Sequence, residues 1–154
     1  MDGSALKIFC EHIEKNFLDE EALKKAAEKL GFPESSLRSW LNYQRTPSIR
    51  SLDKIANRIG CLTYQLIRNQ PLEFGKHRDN NSNIPLRINL SKFFADNGCR
   101  FMAQKLSLLQ HQVTEDMLKS YLRIKDYRIP SLQKLEAMAQ ALGVETHKLL
   151  FMEG

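Results

Sequence analysis

Polar side chains that donate and accept hydrogen bonds follow one face of a short segment, residues 34–42 (ESSLRSWLN). Leu37 and Leu41 lie four positions apart, so in a helix both point to the same, inward side. The opposite face then carries a polar set with one arginine, which comprises Glu34, Ser35, Arg38, Ser39 and Asn42. The segment therefore predicts a short helix whose outer face is suited to recognising another molecule through hydrogen bonds.

The residues before this segment predict a helix and a tight turn that would position it. Ala26, Ala27 and Leu30 fall at helical spacing, and the small alanines allow close packing against a neighbour. Gly31 is expected to end that helix, because glycine adopts the left-handed conformation without steric cost. Pro33, whose φ is already helical, is expected to restart the helix. Two helices joined by such a short, glycine-containing turn form the helix-turn-helix that binds DNA.

The whole stretch 26–48, AAEKLGFPESSLRSWLNYQRTPS, resembles the Cro-like phage-repressor helix-turn-helix family. The segments AAEKLGF, LRSW and RTPS match the usual family pattern without a gap, and glycine, tryptophan and proline fall at the expected intervals. The chain departs from the pattern at three places. Leu23 stands where the family has a phosphate-contacting glutamine, Pro33 replaces the usual cap serine, and Leu41 replaces the glutamate after the tryptophan.

The resemblance implies that the first residues of the second helix meet base edges in the major groove and that the following loop holds phosphates. Carried over by position, the base-reading candidates are Glu34, Ser35, Ser36, Arg38 and Ser39. Arg38 would donate to O6 and N7 of guanine, and Glu34 would accept from a cytosine amino group. The phosphate-contacting candidates are Asn42, Gln44 and Arg45.

Helical periodicity on both sides of the motif predicts a five-helix domain over residues 1–69. An apolar stripe indicates a helix at 4–17, and Ser48 is expected to cap a helix that ends at Gly60. A further short helix is expected at LTYQLIRN. Residues 70–87 are rich in proline, glycine, asparagine and charge, without an apolar period, and are expected to form a linker.

Residues 88–154 repeat the pattern of the first half. SLQKLEAMAQALGV (131–144) aligns with SIRSLDKIANRIGC (48–61), and LKSYL (118–122) aligns with LRSWL (37–41). A repeat of this length and fidelity predicts a duplicated domain. The expected fold class is all-α, with two small five-helix helix-turn-helix domains of the lambda-repressor-like DNA-binding fold joined by the linker.

The second copy departs from the first at the turn of the helix-turn-helix motif and at the start of its second helix. Its turn is five residues longer, Ser107 replaces the glycine, and Glu115 and Asp116 open the second helix, where they would repel phosphates. Candidates for contact with a DNA backbone remain at Lys119, Ser120, Arg123, Lys125 and Arg128. Dimerisation or binding of a protein partner is an equally weighted role for this copy.

Composition sets the class of protein. The chain has 154 residues and a formal net charge of +5, and residues 38–68 carry six arginines and lysines against Asp53 alone. No apolar run approaches the ~20 residues needed to cross a bilayer. The N-terminal MDGSALKIF lacks the pattern of a secretory signal. Three irregularly spaced cysteines indicate no disulfide framework, so a cytoplasmic protein without a membrane association is expected.

No pattern of catalytic or cofactor-binding residues is apparent. The four histidines, His12, His77, His111 and His147, are scattered without metal-ligand spacing. No nucleophile–base arrangement and no phosphate-binding glycine loop occurs. We therefore expect no catalytic residues, no metal, no cofactor and no enzyme activity.

The predicted function is that of a sequence-specific regulator of transcription that binds double-stranded DNA, and the resemblance implies a repressor of a phage, plasmid or bacterial promoter. Short reading helices usually act in pairs, which two copies in one chain or a homodimer would supply. The alternative is a helix-turn-helix fold that binds protein, as an antitoxin or an inhibitor of a host enzyme would. In either case the C-terminal domain is a candidate site for a protein partner.

Overall fold

The structure, a computed structural model, describes residues 4–18, 23–75, 79–94 and 98–152. These residues form eight α-helices and two 3₁₀ helices and contain no strand, which confirms the predicted all-α class. The helices are α1 Ser4–Phe17, α2 Leu23–Leu30, α3 Glu34–Leu41, α4 Ile49–Ile59, a first 3₁₀ helix Thr63–Ile67, α5 Asn83–Phe93, α6 Gly98–Leu108, α7 Glu115–Tyr121, α8 Leu132–Leu142 and a second 3₁₀ helix Thr146–Leu149.

The turn between α2 and α3 consists of three residues, 31–33. Gly31 has a φ of +78°, and the N–H groups of Gly31 and Phe32 both donate to the Ala27 carbonyl, at 2.8 and 3.1 Å. The Ala27 carbonyl, near the end of the helix, thus accepts both donors of the turn. Pro33 was expected to restart the helix from the position of the usual cap serine, and it is the N-cap residue of α3, with φ −60° and ψ 146°.

An arginine from α4 fixes this turn from the side. Arg58 donates to the Lys29 carbonyl at 2.9 Å and to the Glu28 carbonyl at 3.2 Å. A Cβ atom added at Gly31 would lie 2.9 Å from Cδ of Arg58, which is closer than unbonded carbon atoms approach. The turn therefore requires glycine for two reasons, its positive φ and the arginine packed against it.

The inner side of α3 is anchored in an aromatic cluster. Leu37 is fully buried, and Trp40 is 6% exposed. The Trp40 ring meets Phe9 of α1 edge-on at 6.0 Å and Phe32 of the turn at 5.1 Å. Edge-to-face pairs of this kind add roughly 0.5–1.5 kcal/mol each beyond their burial. Trp40 thus packs in the core, and the orientation of α3 is fixed on two sides.

The caps of α4 and α8 have the same geometry. Ser48 accepts a hydrogen bond from the Ser51 N–H, and Ser131 accepts one from the Lys134 N–H. Both helices have eleven residues and end at a glycine with positive φ, Gly60 and Gly143. The first turn of each helix has donors without intrahelical partners, and the serine satisfies one of them.

We expect Ser48→Ala to lower the free energy of unfolding by about 1 kcal/mol, because the Ser51 N–H loses its acceptor. Chemical denaturation followed by circular dichroism measures this change. Ser51→Ala is the matched control, since it removes the 2.9 Å hydroxyl contact but keeps the backbone cap. A Ser48→Ala protein as stable as the wild type would show that the cap contributes nothing.

The segment expected to be a linker, residues 70–87, is partly helical, because α5 begins at Asn83. Its polar residues dock on α4 through hydrogen bonds. Asp53, which is 8% exposed, accepts the Ser82 N–H at 3.0 Å, the Ser82 hydroxyl, and the Thr63 hydroxyl at 2.7 Å. Asn80 donates to Asn57 and to the Cys61 carbonyl. These contacts hold the start of α5 against the first half of the chain.

The two halves of the chain are in contact at three further places. The Ala5 N–H in the first turn of α1 donates to Glu136 of α8 at 3.1 Å. The rings of Tyr64 and Phe151 meet edge-on at 4.9 Å, and the Arg50 guanidinium lies 5.8 Å from the centre of the Tyr127 ring. Buried apolar side chains from both halves belong to one continuous cluster.

Candidate nucleic-acid interface

The outer face of α3 is accessible to solvent. Leu37 and Trp40 are buried and Leu41 packs against the core, so the polar positions of the helix point away from it. Ser35 and Arg38 are exposed, and the other three base-reading candidates, Glu34, Ser36 and Ser39, are partly exposed. The described residues therefore leave the whole polar face of α3 open on the surface.

Two contacts within α3 organise this face. Arg38 Nη2 lies 3.0 Å from Glu34 Oε1, and the two side chains are 58% and 42% exposed. Ser39 donates to the Ser35 carbonyl at 3.0 Å. An exposed ion pair contributes only about 0–1 kcal/mol, so Arg38 can leave Glu34 at small cost when a better acceptor approaches.

The loop after α3 presents the phosphate-contacting candidates. The N–H groups of Gln44 and Arg45 both donate to the Ser39 carbonyl, at 2.9 and 3.3 Å, which folds the loop back on the end of α3. The side chains of Asn42, Gln44 and Arg45 are exposed. The loop and α3 therefore offer one connected polar surface.

Sequence reasoning missed Tyr43, which lies in the same loop. Tyr43 is 58% exposed and has a φ of +59°, a conformation that is uncommon for a bulky residue. Its position between Asn42 and Gln44 was the only sequence signal for a surface role.

The basic residues of 38–68 do not form a single patch. Arg58 holds the end of α2, Arg68 lies 4.9 Å over the Tyr64 ring, and Arg50 lies over Tyr127. Arg45 and Lys54 are exposed. About half of this positive charge therefore stabilises the fold through specific contacts, which a count of charges could not distinguish from a DNA-binding surface.

The candidates for DNA-backbone contact in the second copy differ in their exposure. Lys119, Arg123, Lys125 and Arg128 are exposed on α7 and the loop after it. Ser120 was expected on the surface, but it is 3% exposed and its hydroxyl donates to the Met117 carbonyl one turn earlier. A hydroxyl satisfied inside its own helix can be buried at little cost, so Ser120 belongs to the core.

The turn before α7 is longer than the turn before α3. Six residues, 109–114, separate α6 from α7, and α6 continues two residues beyond Leu106, the position aligned with Leu30. Thr114 caps α7 by accepting the Met117 N–H at 3.2 Å. Lys119 lies 3.9 Å from Glu115, so part of its charge is offset.

The cysteines and histidines form no site among the described residues. Cys10, Cys61 and Cys99 are buried, and burial raises the pKa of Cys10 and of Cys61 to about 12. In the described ranges no group of three or more His, Cys, Asp or Glu residues could hold a metal ion. The same ranges contain no helix with the length and apolar character to span a bilayer.

Comparison with known proteins gives one match. Neither the curated proteins nor the solved structures include a match to the chain. A family model described as helix-turn-helix matches residues 22–66, which run from the start of α2 to the first 3₁₀ helix and include the turn and α3. Residues 22–66 thus match the helix-turn-helix family, whose domains bind DNA and regulate transcription.

Proposed function

We propose that this protein is a sequence-specific regulator of transcription, and that it acts as a repressor of a phage, plasmid or bacterial promoter. The observation that carries the proposal is the open polar face of α3 within the matched segment. A helix of this width fits the major groove of B-DNA, where each base pair presents a distinct pattern of donors and acceptors. A repressor of this type would act by covering promoter DNA.

In this proposal α3 reads bases and the following loop holds the backbone. Arg38 donates to a guanine, Glu34 accepts from a cytosine amino group, and the hydroxyls of α3 bond to bases nearby. These hydroxyls belong to Ser35, Ser36 and Ser39. Asn42, Gln44 and Arg45 contact phosphates, which fixes the register of α3 on the duplex.

We propose further that the chain consists of two divergent copies of the domain, residues 1–69 and residues 88–154. The proposal is supported by the equal length and matching caps of α4 and α8. It is supported also by the burial of Leu118 and Tyr121 at positions aligned with Leu37 and Trp40. A duplicated gene segment would produce this correspondence.

The second half has a different surface, which favours a second candidate function. Large apolar side chains are exposed there, among them Phe101 at 64%, Leu108 at 85% and Ile124 at 77%. The acids at the start of α7 would repel phosphates. A homodimer contact or a protein partner suits this half better than a DNA groove, and Lys119, Arg123, Lys125 and Arg128 would then serve at most as backbone contacts.

A salt titration tests the proposed function. Binding to a duplex should weaken as salt rises, with log affinity falling by ~0.9 per log salt for each phosphate neutralised. We expect Arg45→Ala to reduce this slope by about one contact and to weaken binding to all sequences alike. Arg100→Ala, an exposed arginine on α6, is the control and should leave the slope unchanged. Absence of duplex binding at low salt would refute the proposal in favour of a protein-binding module.

A further inference from the structure

A cleft of about 880 Å³ lies between the two halves of the chain. One side is formed by the start of α1 and the loop after α3, and the other by residues 111–113 and α8. We propose that this cleft binds a small organic anion, and that the bound anion weakens the binding of DNA. Its size falls within the ~300–1,000 Å³ of sites that hold small molecules.

The charges that line the cleft favour an anion. Lys7, Arg45 and Lys134 contribute three cations, and none of them has an ion pair with another described residue. Glu136 is the one acid in the lining, and its carboxylate, which accepts the Ala5 N–H, offsets one of these three charges. The three cations outnumber the one acid, so a ligand carboxylate or phosphate would meet a net positive charge in the cleft.

The base of the cleft favours an organic molecule over an inorganic ion or a DNA strand. Leu6, Val113 and Ala137 line it, and each is at most 6% exposed, so they form an apolar floor. Four glutamines in the lining offer amide donors and acceptors around that floor. An apolar floor with few polar groups is typical of a small-molecule site, whereas a DNA backbone has no apolar body to place there.

The effect on DNA binding, which rests on the proposed function, follows from residues that the two sites share. Gln44 and Arg45 line the cleft and are also the proposed phosphate contacts. An anion that occupies Arg45 competes with a phosphate for the same donors. By linkage, DNA must weaken the binding of the anion by the same factor.

The first experiment uses the full chain labelled with ¹⁵N, without DNA, and 1-naphthoate as the probe. We expect saturable chemical-shift changes at residues 43–46, 111–113 and 133–140, and much weaker binding of the uncharged 1-naphthamide. Lys134→Glu should lower the affinity for naphthoate about 5-fold or more. This substitution creates a Ser-x-x-Glu capping box with Ser131, so it preserves α8. Lys92→Glu, on the exposed side of α5, is the control and should bind naphthoate like the wild type.

Three results would overturn the anion site. They are no saturation at millimolar naphthoate, equal binding of the naphthamide, and shifts confined to the exposed apolar residues of α6. If a duplex changed the chemical shifts of the backbone amides that line the cleft and naphthoate did not, the cleft would be a binding site for the DNA backbone instead.

The second experiment measures duplex binding with and without saturating naphthoate. We expect saturating naphthoate to weaken duplex binding about 5-fold or more in the wild type. In Lys134→Glu the same weakening should require a naphthoate concentration higher by about 5-fold or more, in proportion to the lost affinity. Unchanged duplex affinity with the cleft occupied would refute the coupling. Failure of the protein to bind any duplex would refute the proposed function, while the naphthoate result of the first experiment would still decide the anion site.

Discussion

Asp53→Ala is expected to lower the melting temperature by about 5–15 °C, which corresponds to a loss of ~2–4 kcal/mol for a protein of this size. The carboxylate accepts hydrogen bonds from Thr63 and from both donors of Ser82. Thr63 and Ser82 are 4% and 2% exposed, so water cannot replace the lost acceptor without local opening. Each buried donor left without a partner costs ~1–3 kcal/mol.

The effect should be greatest where the segment before α5 docks on α4. Amide hydrogen exchange at Ser82 measures this directly, because its N–H loses its acceptor. Asp53→Asn keeps one acceptor oxygen and should lose less stability. Asp116→Ala, at an exposed aspartate of α7, is the control and should change stability by only a few tenths of a kcal/mol. A melting temperature for Asp53→Ala within a degree of the wild type would show that the network is dispensable.

Arg38→Ala is expected to weaken binding to the cognate duplex by about 5- to 150-fold and to leave non-specific binding nearly unchanged. A bidentate contact with guanine discriminates between bases, because only guanine presents the O6 and N7 acceptors together. Binding isotherms on a site selected from a random pool, and on an unrelated duplex of equal length, measure the two affinities.

Arg45→Ala provides the matched comparison for Arg38→Ala. Arg45 is proposed to contact a phosphate, so its loss should weaken both duplexes by the same factor. The two arginines are therefore distinguished by the ratio of the affinity for the cognate duplex to the affinity for the unrelated duplex. A substitution that merely destabilised the fold would weaken both affinities by the same factor and leave this ratio unchanged. If Arg38→Ala lowered the affinity for both duplexes by the same factor, Arg38 would not be a base-reading residue.

The elements around α3 could be predicted because their signals are local. Ser48 and Gly60 were expected to bound a helix, and α4 runs from Ile49 to Ile59 between them. The left-handed Gly31 ends α2 as expected. A cap or a C-terminal glycine depends on backbone groups within four or five residues, so the residue types suffice to identify it.

The features that could not be predicted depend on partners distant in the sequence. Ser82 looked like part of a polar linker, and its partner Asp53 lies 29 positions earlier. Arg58 looked like positive charge for DNA, yet it holds α2. Ser120 looked like a surface serine, although a hydroxyl bonded to the preceding turn can be buried. Polar residue types do not reveal whether their partner is water, DNA or another part of the chain.

The central claim is that the outer face of α3 lies against base pairs, and site-directed cleavage of DNA tests it most directly. Ser35 is exposed at the start of α3, whereas the three native cysteines are buried and burial raises the pKa of each. A cysteine introduced by Ser35→Cys can therefore be labelled selectively with an iron chelate that cuts nearby DNA. Ser91→Cys, on the exposed side of α5, carries the same label as the control.

We predict that the label at position 35 cuts the selected duplex at a few adjacent nucleotides within the recognised site, and that the label at position 91 gives no localised cleavage. Cleavage spread evenly along the duplex from position 35, or localised cleavage from position 91 alone, would contradict the placement of α3 against the bases.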